Sequence, residues 1–453
     1  MPDSYALALP RKKFFLEMFT RDISLHECIL DLIDNSIDGF IRSRHVNLDA
    51  SHLIATTATP EGEAIQKGRI EIICSPNRFI IRDNCGGITR SEAEGEVFNF
   101  GHSGTTAPAT QLGAYGIGLK RAIFKIGDHF EMTSQTATEG FSVKVDVDNW
   151  SDRDTTLEDW RFPLDYLPGA AAPNEPGTII TITSIPRDIQ ALLGDPTIGT
   201  ALHRVIAQTY ALFLSRCVDI VLNDASVAPT AIPLGASDNY KPAVDSWEED
   251  GVRVTLIAGL AARGESNEWR AESAGWYVLC NGRVILAADK TELTGWGAGI
   301  LPQFHSSKSR GFVGIASFSS RDPLKLPWTT TKRSLNRESA VFLRVRDRMA
   351  TVGRQVYAFL DSLYQSKTDV TPEERRVMTA VSQADFGQVA ATGPAAFRIS
   401  TAPRKQKTTA RVQYDAQLSD LAKVRQRLRR PDLSASEIGR QTFEYFLKQE
   451  GLQ

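Results

Sequence analysis

The stretch Glu27–Phe40, ECILDLIDNSIDGF, places four carboxylates and one amide within fourteen residues. Apolar residues recur at Ile29, Leu32, Ile33, Ile37 and Phe40, the spacing of an amphipathic helix. On that helix Glu27, Asp31, Asp34, Asn35 and Asp38 crowd one face. Like charges on one stripe repel each other, and no lysine occurs between Lys13 and Lys67 to intersperse them. Whether this face holds a cation, and which carboxylate works beside it, is the question the stretch raises.

The rest of the chain sets the frame. Its 453 residues suggest two to four domains with room for a large core. A net charge of −2 gives no global bias toward nucleic acid, so any basic surface must be local. The N-terminal MPDSYALALPRKKFF has no apolar signal core, and no later run is apolar enough to span a bilayer. Five scattered cysteines argue against zinc and against a disulfide framework, so a reduced cytoplasm is the expected setting.

The helix over about 24–42 is followed by strands GRIEIICSP and RFIIRDN, with a turn at Pro76-Asn77. Residues 101–112, GHSGTTAPATQL, read as a mobile loop. GAYGIG then leads into a helix LKRAIFKI, strands near 129–135 and 140–147, an irregular stretch over 150–176, and the strand GTIITITSI. A second α/β region opens with a helix over 198–216. It continues through VDIVLND, VRVTLIAGL, GWYVLCNGRVIL and GFVGIASFS to a long helix near 336–366.

Three elements then stand in a fixed order. The acidic helix carries Asp31 and Asn35. RDNCGGI puts Asp83 at a strand end and Gly86-Gly87 in a tight turn. GAYGIGLK offers Gly113, Gly116 and Gly118 before a helix, where free N–H groups and the helix dipole suit an anion. One glycine motif alone is weak evidence; the ordered set is far more specific.

Together these motifs, over roughly residues 20–185, resemble the GHKL ATPase superfamily of DNA gyrase B subunits, Hsp-type chaperones, sensor histidine kinases and MutL. DLIDNSIDG is similar to its first motif, DNCGG stands where it has Asp-x-Gly-x-Gly, and YGIGLK is similar to its third motif. GTIITIT is similar to its late Gly-Thr strand. The resemblance implies an α+β protein: a Bergerat-type ATP-binding α/β sandwich, then an α/β transducer-like domain and a small helical C-terminal tail. Expected boundaries are 1–190, 191–370, a linker over 371–410, and 411–453.

Carried over, the resemblance gives Asn35 to Mg²⁺, by an oxygen of the hard type magnesium needs. It gives Asp83 to the adenine amino group with Thr178 assisting. Gly87, Gly113, Tyr115, Gly116, Ile117, Gly118, Leu119 and Lys120 fall around the nucleotide, and Ser103, Gly104 and Thr105 in the lid. Cys85 occupies the first glycine position of Asp-x-Gly-x-Gly, which puts the local backbone in question. The family's hydrolytic members carry a glutamate four residues before the magnesium asparagine; here that position is Asp31, shorter by one methylene. Asp31 is the expected catalytic base, Glu27 its rival, and slow hydrolysis the expected consequence. His26 reads as an ordinary surface or core histidine.

The second region, through VDIVLNDASVAP, AGWYVLCNGRVIL and LPWTTTKRSLN, resembles the transducer domain of MutL and especially MORC-type ATPases. Lys332 stands where a transducer lysine touches the γ-phosphate, with Arg333 its rival. The resemblance implies a cytoplasmic Mg²⁺-dependent ATPase hydrolysing ATP to ADP and phosphate, with ATP-dependent homodimerisation as a clamp. Its client would be DNA or a partner protein. Basic residues over 403–430 could bind DNA nonspecifically. Alternatives are a nucleotide-gated interaction module with little hydrolysis, and a protein chaperone.

Overall fold

Period-2 strands and amphipathic helices alternate through the computed structural model. It describes residues 10–44, 66–101, 111–153, 156–167, 176–237, 240–263, 268–297, 299, 301–365, 382–399 and 414–452. Two compact units result, Met1–Thr401 and Ala402–Gln453.

The first unit opens with α1 (Lys12–Arg21), which the sequence reading did not anticipate, and α2 (Leu25–Arg44), the acidic helix. The hairpin β1 (Gly68–Ser75) and β2 (Arg78–Asp83) follows. Next come α3 (Arg90–Glu92) with a π-helical turn over Ala93–Val97, then α4 (Gly118–Ile126), β3 (His129–Gln135) and β4 (Gly140–Asp146). α5 (Val147–Asp152), β5 (Asp165–Leu167) and β6 (Gly177–Thr183) precede α6 (Arg187–Gly194), α7 (Pro196–Thr209) and α8 (Ala211–Arg216). β7 (Val218–Leu222) and β8 (Ala225–Ser226) complete one sheet in the order β5-β4-β3-β6-β2-β1-β7-β8. Among the described residues of this sheet, β1 and β7 are the pair that runs parallel, and that pairing carries the first sheet past residue 190.

Alternation decides which face of this sheet is dry. Along β3, Phe130, Met132 and Ser134 are buried while their neighbours are half-exposed, as the strand period requires. Cys28, Leu32, Ile33, Ile37 and Phe40 of α2 share one core with Ile70, Ile81 and Phe130 of the sheet and Ile123 of α4. The apolar side of α2 is thereby fixed against the sheet, and its acidic side is aimed along α4. The helix expected over 198–216 is interrupted at Tyr210, which caps α7 and precedes α8 with its ring buried.

The second sheet follows short strands β9 (Gly235–Ala236) and β10 (Tyr240–Lys241). It contains β11 (Ala243–Glu249), β12 (Val252–Leu260), β13 (Gly275–Cys280), β14 (Arg283–Asp289) and β15 (Phe312–Ser319). Their order is β11-β12-β15-β13-β14, and α9 (Ala340–Gln365) covers β12 and β15. Asn281-Gly282 forms the β13–β14 turn with both residues left-handed (φ 47° and 81°), the Asn-Gly pattern of a tight hairpin.

Within the stretch read as a linker, described residues make specific contacts. Ser382–Gln383 pairs with β9, Arg398–Ile399 pairs with β10, and Arg216 binds the Asp385 carboxylate at 2.6 Å. Described by itself, the second unit holds helices Leu418–Leu428 and Ala435–Gln449, with Leu433 and Ile438 buried. In the basic run, Lys423 pairs with Asp420, Arg430 with Asp432, and Arg425 donates to the Leu433 carbonyl. Residues 403–413 of that run lie outside the described residues.

Gly314 of β15 faces Trp276 of β13, and an added Cβ would stand 2.3 Å from the indole Cε3. Gly314→Ala should cost about 1–3 kcal/mol, the scale of an overpacked core. Urea unfolding should show it as a lower midpoint at unchanged slope.

Candidate functional site

Asp31, Asn35, Asp83, Gly87, Gly113, Tyr115, Gly116, Ile117, Gly118, Leu119, Lys120, Thr178 and Lys332 all line one cavity of about 540 Å³. Ser103, Gly104 and Thr105 lie outside the described residues. Ser36, Asp38 and Arg42, which the sequence reading did not select, line it as well.

The start of α2 decides which acids face the cavity. The Ser24 N–H and hydroxyl both donate to Glu27 Oε2 at 2.7 Å, and the Glu27 N–H returns to Ser24 Oγ at 3.3 Å. This is a capping box, so Glu27 satisfies the helix end and does not line the cavity. Arg333 points the same way, with Nη1 3.5 Å from Glu27. Both rivals, to Asp31 and to Lys332, are thus occupied with each other.

At one end of the cavity Asp83 is half-buried and held by three hydrogen bonds. Its Oδ2 accepts the Ser36 hydroxyl at 2.7 Å, and its Oδ1 accepts the N–H groups of Cys85 at 3.0 Å and Thr178 at 3.2 Å. Burial raises its pKa, and those three donors oppose the rise. A carboxylate so held is an acceptor, suited to a ligand N–H. The Thr178 hydroxyl sits 2.8 Å from Ser134 Oγ. Gly86 and Gly87 carry the left-handed backbone of the turn (φ 99° and 67°), while Cys85 does not, which is how cysteine fits a glycine position.

At the other end Gly116 is left-handed (φ 62°) and delivers the chain into α4, whose start has no side-chain cap. Its first N–H groups therefore remain available to an anion in the cavity. A Cβ on Gly118 would lie 3.0 Å from Asp31 Cβ and Cγ, tighter than most contacts of that kind, so glycine lets α4 lie close against α2. Asp38 accepts the N–H groups of Leu112 at 2.6 Å and Gly113 at 2.7 Å, which pins the start of the glycine segment to α2. Lys120 is buried, donates to the Val97 carbonyl at 2.9 Å, and has its pKa lowered to about 8 by burial.

Asn35 is exposed on a helix whose neighbours are buried, and its side chain makes no protein hydrogen bond among the described residues. Its amide oxygen lines the same cavity as the start of α4, and a neutral oxygen of this kind fits Mg²⁺, which takes few protein ligands and shares the rest with phosphate and water. Asp31 is four residues earlier. Burial raises its pKa, the Lys332 ammonium opposes that, and Asp34 reinforces it. A raised value brings a carboxylate toward the range in which it works as a base.

Behind this face lies a buried ion cluster that no local pattern announced. Asp34 Oδ1 accepts Arg283 Nε at 3.1 Å and stands 2.7 Å from the Tyr210 hydroxyl, while Oδ2 accepts Lys332 Nζ at 2.7 Å. Lys332 Nζ is also 3.8 Å from Asp31 Oδ1. The Arg283 cation and the Lys332 ammonium hold the Asp34 carboxyl below its ordinary pKa against the cost of burial.

Asp38 yields a pH test. Burial raises its pKa from 3.8 to about 7, opposed by its two backbone donors. A folded value above the unfolded one means that its contribution to stability is fullest below pH 4 and shrinks as pH rises through about 7. The two N–H bonds run the other way, since the carboxylate accepts both and the acid accepts them less well. Hydrogen exchange should therefore show Leu112 and Gly113 losing protection, relative to intrinsic rates, as pH falls from 8 to 6 (about one unit either side of that pKa). In Asp38→Asn the protection should be weak and flat over the same interval.

A comparison with curated proteins gives no match to the chain. Residues 23–162 do match the family model of histidine kinase-, DNA gyrase B- and HSP90-like ATPases, and this match supports the GHKL superfamily, with its ATP-binding domain, for that part of the chain.

Proposed function

We propose that the protein binds ATP with Mg²⁺ in this cavity and hydrolyses it slowly to ADP and phosphate. The observation that carries the reading is convergence: acid, amide, glycine segment and a lysine from the second sheet's side of the fold line one cavity. Asp83 would accept the adenine amino group, with Thr178 beside it, and the start of α4 would receive the phosphates. Asn35 would hold Mg²⁺, which when bound neutralises phosphate charge. Asp31 would orient a water and take its proton as the water oxygen bonds to the γ-phosphorus and ADP leaves. Lys332 would stabilise charge on the transferred group. Aspartate's shorter reach favours low turnover.

MORC- or MutL-like clamp action is the larger proposal. Nucleotide bound to both α4 and Lys332 would tie the two sheets together, and that ordering would drive homodimerisation. DNA, met through the 403–430 run, or a partner protein would be the client.

Asp31→Asn should abolish phosphate release while ATP affinity stays within about threefold, whereas Asp31→Glu should preserve or raise turnover. Loss of hydrolysis in Asp31→Glu with binding intact would overturn the base assignment. For the clamp, light scattering with a non-hydrolysable ATP analogue and Mg²⁺ should show a doubled mass. An unchanged monomer mass at saturating nucleotide would leave the nucleotide-gated module as the better description.

A further inference from the structure

We infer that Asp34 is a positioning residue that holds Lys332 for the nucleotide, and that Arg283 sets the loop from which Lys332 projects. This rests on the ATP-binding reading above and adds to it a part that no sequence motif assigns. Asp34 sits beside Asn35, yet it is turned away from the cavity, with a side chain only 1% exposed. It is met by donors from separate parts of the chain: Tyr210 after α7, Arg283 at the start of β14, and Lys332 in the loop after β15.

Geometry says what that meeting does. Lys332 is buried but lines the cavity, so its ammonium has Asp34 behind it and the ligand space before it. An ammonium has three donors, and Asp34 uses one of them. Lys332 is also left-handed (φ 54°), a backbone state that a non-glycine residue keeps only when its surroundings impose it. Two bonds hold that state: the Lys332 N–H donates to the Thr329 carbonyl at 2.9 Å, and Arg283 Nη1 donates to the Lys332 carbonyl at 2.7 Å while its Nε binds Asp34. One guanidinium thus fixes both the lysine's backbone and the carboxylate that receives its side chain.

The second carboxylate gives the arrangement its consequence. Lys332 Nζ is 2.7 Å from Asp34 and 3.8 Å from Asp31. Without the Asp34 charge, the nearest anion for Lys332 is Asp31, the residue assigned to the attacking water. A collapsed Lys332–Asp31 pair would remove the γ-phosphate contact and occupy the base together. Asp34 keeps the two apart.

The test measures ATP and ADP affinities by calorimetry alongside kcat and KM. In the unaltered protein, ATP should bind more tightly than ADP. Asp34→Asn should leave ADP affinity within about threefold, reduce the preference for ATP about tenfold, and lower kcat at least thirtyfold with a smaller change in KM. Lys332→Met should show the same lost preference, and adding Asp34→Asn to it should change the ATP/ADP ratio by less than twofold. The double variant also removes one charge of each sign, so it remains informative where Asp34→Asn alone melts. A preference for ATP unchanged in Asp34→Asn, or a further loss when it is added to Lys332→Met, overturns the positioning role. Absence of ATP binding in the unaltered protein would instead sink the nucleotide reading itself.

Discussion

A buried carboxylate has to be neutralised where it lies, and Asp34 lies in the middle of α2 with almost no access to water. Its two oxygens are met by a phenol, a guanidinium and an ammonium, each from a segment distant in sequence. Removing one partner from such a cluster costs about 3–5 kcal/mol, because the others stay buried and unpaired. The intact cluster gives little net stability over an apolar packing of the same volume. What it fixes is position. Arg283 starts β14 and reaches α2 across 249 residues, so the second sheet's hairpin is registered against the helix that lines the cavity.

The same helix shows how a short acid could still serve. Asp31 lacks a methylene relative to the glutamate of the resembling hydrolases, which withdraws its carboxylate toward α2. Gly118 works in the opposite direction, since the missing Cβ lets α4 rest against Asp31 Cβ and Cγ. A phosphate group received at the start of α4 would be brought nearer by that approach. Burial also makes Asp31 more basic than an exposed aspartate. Closer packing and higher basicity both lessen the deficit that reach alone would impose.

Much of this was legible because the signals are local. The three- and four-residue spacing in α2, the Pro76-Asn77 turn and the glycines before α4 each specify backbone within a few residues. That these segments meet around one cavity was what the family resemblance implied, since local spacing alone does not bring them together. Asp34 was not legible from spacing alone. Asn35 is advanced about 40° and Asp34 set back about 60° from Asp31 at about 100° per residue. One step along the helix therefore separates a cavity-facing amide from a core-facing acid. Arg283 and Tyr210 carry no local mark, since their role depends on contacts across 249 and 176 residues. The Asn-Gly pair at 281–282 was the available clue: it splits GWYVLCNGRVIL into a hairpin and puts Arg283 just past its tip.

That hairpin tip also touches two parts of the site. Asn281 donates to the Gln111 carbonyl at 2.8 Å, at the described end of the 101–112 stretch. One residue further on, Asp38 holds the Leu112 N–H, and beyond it the Gly113 N–H. Two residues from Asn281, Arg283 grips both Asp34 and the Lys332 carbonyl. A two-residue turn with both φ angles positive is short and conformationally restricted. The β13–β14 tip thus bonds both to the stretch that leads into the glycine segment and, through Arg283, to the Lys332 carbonyl. One short turn therefore meets both the Gln111 carbonyl and the lysine loop directly, with no long chain of contacts between them.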